Sequence, residues 1–562
     1  MDGGHESMSD YRRFYRQKSI GPLVILFSLF ALPLALTIQS GVWEEGSFTL
    51  ERIVSAILNP YTQRILLFTL KQAFYSTGAA LVIGLPGAYI LATYSFRGKK
   101  LIKALATIPF VLPSILVVLG FVMFFGNSGT LNTVLMKVFD LDDPPLKLLY
   151  SLGAIILAHT FYNFPIVMSI VATAWEGLDT KLEAAAATLG SAPRKVFRTI
   201  TLPRLIPSIV SAAALVFLFC FNSFAIILVL GGGPQFTTLE VEIYRQARMM
   251  GDPSSASALA IVSMLINGIL FLGYAFSQRT LTVTETVAER AFEERKPSPM
   301  RTFFILLYSL FTIIFLLGPI ISVLYRSFSK GASRASETTF STTWYRQLLG
   351  FEQSSSHMGS ALTALINSTL IGVAVSILTV TLALLLSVSI ARRKKNSSFL
   401  ELFGMLPMMT SSVIVGLGYV LIARLLRPSL FGTYLLITLA HTVIAFPFAL
   451  RTILPSVRSL PETYLHASYT LGSSPQKTFR TVEMPLLRRT LLTAAVFAFA
   501  LSLGEFNATL ILSSSRIVTL PVVMYRLIGS YHFQGACALG SILIITSGLA
   551  FFLGEVAKGD SV

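Results

Sequence analysis

Apolar residues in this chain gather into long runs separated by short polar loops. The first run, about Ile20 to Ile38, follows a polar, basic stretch, residues 1–19, that carries Arg12, Arg13, Arg16 and Lys18. A secretory signal starts in a similar way, but its apolar core is only about 7–15 residues and ends at a small-residue cleavage site. This run is longer and lacks such a site, so an uncleaved span with its N-terminus in the cytoplasm is expected. Further runs near 70–95, 103–126, 150–174, 208–231 and 256–278 are followed by a second series near 303–326, 367–391, 399–423, 430–452, 490–512 and 534–556. Each is close to the roughly 20 residues that a helix needs to cross the hydrocarbon. The pattern predicts an all-α integral membrane protein with about twelve transmembrane helices.

The two series repeat in their letters as well as in their hydropathy. LAHTFYNFP, Leu157 to Pro165, matches LAHTVIAFP, Leu439 to Pro447, and TTLEVEIYR from Thr237 answers VTLPVVMYR from Val518. Pro109, Ser114 and Gly120 answer Pro407, Ser412 and Gly418 once a loop insertion is allowed for. Self-similarity on this scale marks a duplicated architecture. Two six-helix halves are expected, 20–280 and 302–556, with a cytoplasmic linker at 281–301 and a tail at 557–562. Both halves run in the same orientation, which predicts a pseudo-two-fold axis along the membrane normal and a pathway between them.

Composition narrows the class. The 562 residues are 54% hydrophobic and 13% charged, with mean hydropathy +0.71, more apolar sequence than a soluble core can use. A formal net charge of +17 would suggest nucleic acid in a soluble protein. Here the basic residues sit in short loops, so they read as topology signals and no nucleic-acid partner is expected. Arg97, Lys99, Lys100 and Lys103, then Arg279, Arg295, Lys296 and Arg301, then Arg392, Arg393, Lys394 and Lys395 all fall on one side of the predicted spans. That side is the cytoplasm by the positive-inside rule. The opposite loops are richer in acid, with Glu44, Glu45, Glu51, Asp140, Asp142 and Asp143.

Two loops on the basic side share one pattern: LGSAPRKVFRTITLP, Leu189 to Pro203, and LGSSPQKTFRTVEMP, Leu471 to Pro485. In the first, Ala184 to Ala187 favours helix, Gly190 suits the left-handed residue that ends one, and Ser191 suits a cap for the next. Pro193 falls in the new helix's first turn, where a missing N–H costs little, and Pro203 is expected to stop it. Each loop, 181–204 and 463–486, therefore predicts a short helix–glycine–helix elbow. A single such elbow reads equally well as an interfacial helix on the lipid surface. Two at matching places in two halves point to a shared mechanical role.

These loops resemble the cytoplasmic "EAA" loops of permeases from binding-protein-dependent ABC importers, which dock in a groove of the ATPase subunit. The first copy matches that pattern at Ala185, Ala186, Gly190, Ile200, Leu202 and Pro203, with Ala184 at the family's glutamate position and Glu183 one residue early. The second matches at Ala467, Gly472, Val482, Met484 and Pro485, with His466 at the glutamate position. The resemblance implies that the glycines set the bend and that Phe197 and Phe479 fill an apolar notch in the ATPase. It also implies two ATPase copies, a soluble periplasmic or lipid-anchored binding protein, and a bacterial inner-membrane location. SFAIILVLGGGPQFTTLEVEIY, Ser223 to Tyr244, and IGSYHFQ, Ile528 to Gln534, look like the thiamine importer permeases, with ferric-iron permeases as relatives. A ferric-iron permease and a secondary transporter with two six-helix repeats are the alternatives.

Catalytic chemistry has no motif to carry it. The chain contains no G-x-x-x-x-G-K-[ST] phosphate loop, paired-histidine helix motif, nucleophile elbow or cysteine pair with ligand spacing, and no cofactor or metal is expected. Cys220 and Cys537 lie in apolar runs and read as small buried hydrophobes. Ionisable groups at membrane depth are costly and often functional. His159 and His441 stand at matching positions and read as neutral groups bonded between helices. Glu505 is a candidate to attract a cation or to pair with Asn507, and Lys71 lies near the start of a span. Asn222 and Asn507 lie in matching spans and are candidates to line the pathway at lower desolvation cost.

Overall fold

The computed structural model describes residues 20–44, 46–106, 109, 112–179, 181–284, 296–330, 339–349, 351, 361–392, 397–430, 432–514 and 517–558. The stretch 1–19, Arg295, Arg393, Lys394, Lys395, and parts of the 281–301 linker and the 557–562 tail lie outside the described residues. Among the described residues eleven helices are long and apolar enough to cross a bilayer, or up to twelve if one bent pair counts as a span. Among the described residues strand is confined to two antiparallel hairpins, Trp43–Glu44 with Ser47–Phe48 and Ser329–Lys330 with Thr339–Phe340. The chain is a multi-pass, all-α membrane protein.

Several apolar runs are not single rods. The run near 208–231 divides into Leu202–Phe221 and Ala225–Leu230, and the run near 490–512 into Met484–Gly504 and Asn507–Leu512. Asn222 and Ser223 in one, Gly504 in the other, are weak helix formers at those breaks. The run near 103–126 becomes Lys99–Leu105 and Ser114–Phe125, with Pro109 and Pro113 between. The run near 399–423 bends by 94° between Leu400–Met408 and Ser412–Leu426, where Pro407 sits in a 3₁₀ turn.

Packing sorts the helices into two compact units that cut across the halves expected at 20–280 and 302–556. One comprises residues 1–53, 243–261 and 341–562, the other 54–242 and 262–340. In the first, the Ile20–Val42 helix packs on Ser412–Leu426, and Tyr419 Oη donates to Leu29 O at 2.8 Å. A Cβ at Gly418 would meet the Pro33 ring and carbonyl at 2.6 Å, so only glycine admits this approach. In the second, the Pro299–Ser327 helix packs on Ser114–Phe125 in the same manner, with Gly120 against Pro319. Each sequence half thus lends its opening helix to the unit that holds the other half's core.

Within each unit the repeat is closed by the same backbone device. Thr69 Oγ1 accepts from the Leu239 amide at 3.1 Å, and Ser368 Oγ accepts from the Leu520 amide at 2.9 Å. Both satisfy a donor at the start of a short helix, Leu239–Tyr244 or Leu520–Gly529.

Candidate functional site

The first elbow opens with the helix Lys181–Thr188. Gly190 has φ +75°, its amide donates to Ala187 O at 3.0 Å, and the Ser191 amide donates to Ala186 O at 3.0 Å. This is the paired closure of a helix by a left-handed residue. The second elbow repeats it after Glu462–Thr470: Gly472 has φ +75°, its amide donates to Tyr469 O at 2.8 Å, and Ser473 donates to Ser468 O at 3.1 Å. A Cβ at either glycine would meet nothing within 4 Å, so the requirement for glycine is the backbone angle and not space.

The second arms start with Pro193 and Pro475, both in the first helical turn. Ser191 does not cap; Ala192 holds the N-cap and makes no side-chain bond there, whereas Ser474 accepts from the Lys477 amide at 3.4 Å. Pro203 does not stop the helix either. Phe197–Thr201 and Phe479–Glu483 widen into π turns, with the Leu202 and Met484 amides donating to Phe197 O and Phe479 O. The extra residue in the turn absorbs the missing N–H and the ring of Pro203 or Pro485, so the helix runs on.

The arms are held by different contacts in the two copies. In the first, Thr201 Oγ1 donates to Glu183 Oε1 at 2.6 Å, and Phe197 stacks on Trp175 with ring centroids 5.9 Å apart. In the second, Ser468 and Thr478 hydroxyls bond at 2.9 Å, and Glu483, fully buried, pairs with Arg392 at 3.3 Å. Phe479 packs against a core cluster that includes Val457 and Leu487. Ala185, Pro203, His466, Ala467 and Pro485 are exposed, while Ala186, Ile200 and Val482 are half-buried. The tips carry a residue that hydropathy alone did not single out: Leu189 is 85% exposed and Leu471 86%. The signal was an apolar residue directly before each left-handed glycine, where the chain turns outward.

Inside the units, the buried polar groups do not form one cluster. His441 Nδ1 lies 2.9 Å from Ser502 Oγ and Nε2 lies 2.7 Å from Thr509 Oγ1, so the ring bridges three helical segments. His159 Nδ1 lies 3.0 Å from Ser76 Oγ, but its Nε2 has no partner among the described residues. Asn222 and Asn267 exchange amide bonds of 3.0 and 2.8 Å. Glu505 sits in the break before Asn507–Leu512 and accepts from the Ala508 amide at 3.0 Å and from the Asn507 amide. Asn507 Oδ1 is buried without a partner among the described residues. Aligning Phe224 with Phe506 places Asn222 opposite Gly504 and Asn507 opposite Ala225, so the two asparagines share spans but not positions. Lys71 is exposed, its Nζ 5.9 Å from the Tyr75 ring centroid.

The family described as the binding-protein-dependent transport system inner membrane component matches residues 84–283 and 379–556. The chain belongs to that family. Each matched segment of the permease contains one elbow, one buried histidine and two of the broken runs described above. The permease is 27% identical over 501 residues to the thiamine transport system permease protein ThiP of Haemophilus influenzae, covering 87% of this chain and 88% of that protein. It is 27% identical over 513 residues to ThiP of Escherichia coli, covering 89% and 90%. It is 30% identical over 254 residues to the putative 2-aminoethylphosphonate transport system permease protein PhnU of Salmonella typhimurium, covering 45% of this chain and 88% of that protein.

Proposed function

We propose that the permease forms the translocation pathway for thiamine or thiamine phosphates in an ATP-driven importer of a bacterial inner membrane. A soluble binding protein delivers the substrate, and two copies of a separate ATPase dock on the elbows, which face the cytoplasm together with the N-terminus. The ATPase carries the bond chemistry, and the permease transmits motion. The observation that carries the reading is the duplicated elbow, bent at a left-handed glycine and tipped by an exposed leucine. An apolar side chain held almost wholly in water by a fixed turn suits an apolar notch in a partner. Likeness to ThiP along nearly the whole of both chains supports thiamine as the cargo.

Gly190→Val and Gly472→Val put a β-branched residue at a left-handed angle, a strain of about 1–2 kcal/mol that no clash complicates. Loss of ATPase co-purification or of ATP-driven uptake is expected; wild-type levels of both in both variants would remove the docking role. Leu189→Glu with Leu471→Glu addresses the tips directly and is expected to release the ATPase without altering the permease fold. For the pathway, Glu505→Gln is expected to weaken uptake of cationic thiamine, and unchanged kinetics would leave Glu505 as a cap on the Asn507–Leu512 helix alone. Identifying the ligand retained by the binding protein of the purified complex tests the cargo.

A further inference from the structure

The long helix leading into each elbow ends on a charged residue that is ion-paired to a short helix of its own unit. In one unit Leu152–Glu176 ends on Glu176, whose Oε1 lies 2.8 Å from Lys103 Nζ and 3.6 Å from Lys99 Nζ on the Lys99–Leu105 helix. In the other, Tyr434–Arg458 ends on Arg458, whose Nη2 lies 2.6 Å from Glu401 Oε2 on the Ser397–Met405 helix. The positions correspond through the repeat. Glu176 and Arg458 are 282 residues apart, as are Leu157 and Leu439; Lys103 and Glu401 are 298 apart, as are Ser114 and Ser412. The same pair of places is therefore bridged twice, with anion and cation exchanged.

A reversal on one side only would set like charges against each other. Both sides are reversed, so what these places require is the bond and not its sign. The helix dipole accounts for a further difference. A carboxylate at a helix C-terminus is disfavoured and a guanidinium is favoured, and Glu176 gathers two lysines where Arg458 is held by one glutamate. The pairs are partly exposed, 45% and 34% for Lys103 and Glu176, 45% and 37% for Arg458 and Glu401. Exposed pairs contribute little to overall stability, so folding alone is a weak reason for keeping both.

Their location supplies a better one. The elbow helices begin at Lys181 and Glu462, only a short turn beyond Glu176 and Arg458. In the first copy that turn is also held by Arg204, whose Nη1 donates to Asp179 O at 3.0 Å. We infer that the Lys103–Glu176 and Glu401–Arg458 pairs are struts that brace the root of each elbow. With the strut in place, a displaced elbow carries its membrane helix along; without it, the turn flexes and the displacement is lost. The struts presuppose the reading of the elbows as ATPase-docking levers.

The test uses the second unit, where one anion meets one cation. Arg458→Glu, Glu401→Arg and the double exchange are reconstituted with ATPase and binding protein in proteoliposomes. Thiamine imported per ATP hydrolysed is read beside the melting temperature of each purified permease. Glu176 shows that a helix in this setting tolerates a terminal carboxylate. Each single variant is expected to lower the import ratio about three- to tenfold at little cost in melting temperature, the scale of repulsion across a surface pair. The double exchange, which restores the bond in the polarity of the other unit, is expected to recover the ratio to within about twofold. Single variants at the wild-type ratio would overturn the struts, as would a double exchange no better than the singles. A fall in melting temperature with an unchanged ratio would assign the pairs to folding alone. A wild-type complex that moves no thiamine with ATP would overturn the transport reading itself, and the struts with it.

Discussion

His159 and His441 occupy matching turns of duplicated helices, yet among the described residues only His441 finds a partner for both ring nitrogens. Thr509 donates its proton to Glu505 O at 2.8 Å, which leaves its oxygen to accept from His441 Nε2–H and Nδ1 to accept from Ser502. In the other unit the places of Ser502 and Thr509 are held by Cys220 and Ile227, and His159 turns to Ser76 instead. The elbows show the same drift. Glu183 on the first arm receives Thr201, whereas in the second copy a glutamate, Glu483, stands at the place of Thr201 and reaches Arg392. Backbone events have been kept in both copies: the left-handed glycine, the π turn and the helix break. Polar partners have been redistributed, because a buried polar group needs a partner but not a particular one.

The widest expected gap between the copies is at the elbow bases. Arg392→Met removes the cation from a carboxylate with no exposed surface, and breaking such a pair costs about 3–5 kcal/mol. Thr201→Val removes a neutral donor from a half-buried carboxylate and is expected to cost about 1–2 kcal/mol. Melting temperatures of the two purified variants in one detergent check the order. Equal losses would mean that the buried charge is no more demanding than the hydroxyl, and the contrast between the elbows would dissolve.

A smaller gap is expected at the histidines. His441→Leu takes a partner from Ser502 and Thr509 together and is expected to cost about 2–3 kcal/mol. His159→Leu takes one from Ser76 and at the same stroke removes a nitrogen that has no partner among the described residues, so about 1 kcal/mol is expected. The same melting assay decides; a His159 variant as damaging as the His441 variant would show that its ring is anchored in some other way.

The parts read from the letters and the parts missed differ in physical kind. Spans, repeat and elbow glycines are local: apolar length, recurring strings, and a glycine after an alanine-rich helix each carry their meaning in a short window. The breaks after Phe221 and Gly504 are not, since Phe224, Ala225 and Ile226 continue the apolar run and hydropathy passes across. Pro203 misleads as a stop signal because a π turn, which no short pattern announces, makes room for it. Leu189 and Leu471 escape notice because an apolar residue is ordinarily read as inward-facing. The partners of His159, His441 and Glu483 come from distant helices, and their identity exists only in the packed chain.

The finest test of the contrast carries one copy's solution into the other. Ile227 is 2% exposed, and replacing it by Thr in an ordinary buried site would cost about 2 kcal/mol through lost apolar volume and a buried hydroxyl. By the repeat, position 227 corresponds to Thr509, which bonds His441 Nε2, and His159 Nε2 has no partner among the described residues. Gaining that bond is worth about 1–2 kcal/mol, so Ile227→Thr is expected to be nearly neutral. Ile226→Thr, one residue away and 5% exposed, has no such compensation and is expected to show the full loss. The compensation must also depend on the ring: combined with His159→Leu, Ile227→Thr should again cost about 2 kcal/mol, a coupling that a double-mutant cycle isolates. Equal losses for Ile226→Thr and Ile227→Thr would show that the two histidine sites differ in backbone as well as in partner, and that the repeat does not extend to this depth.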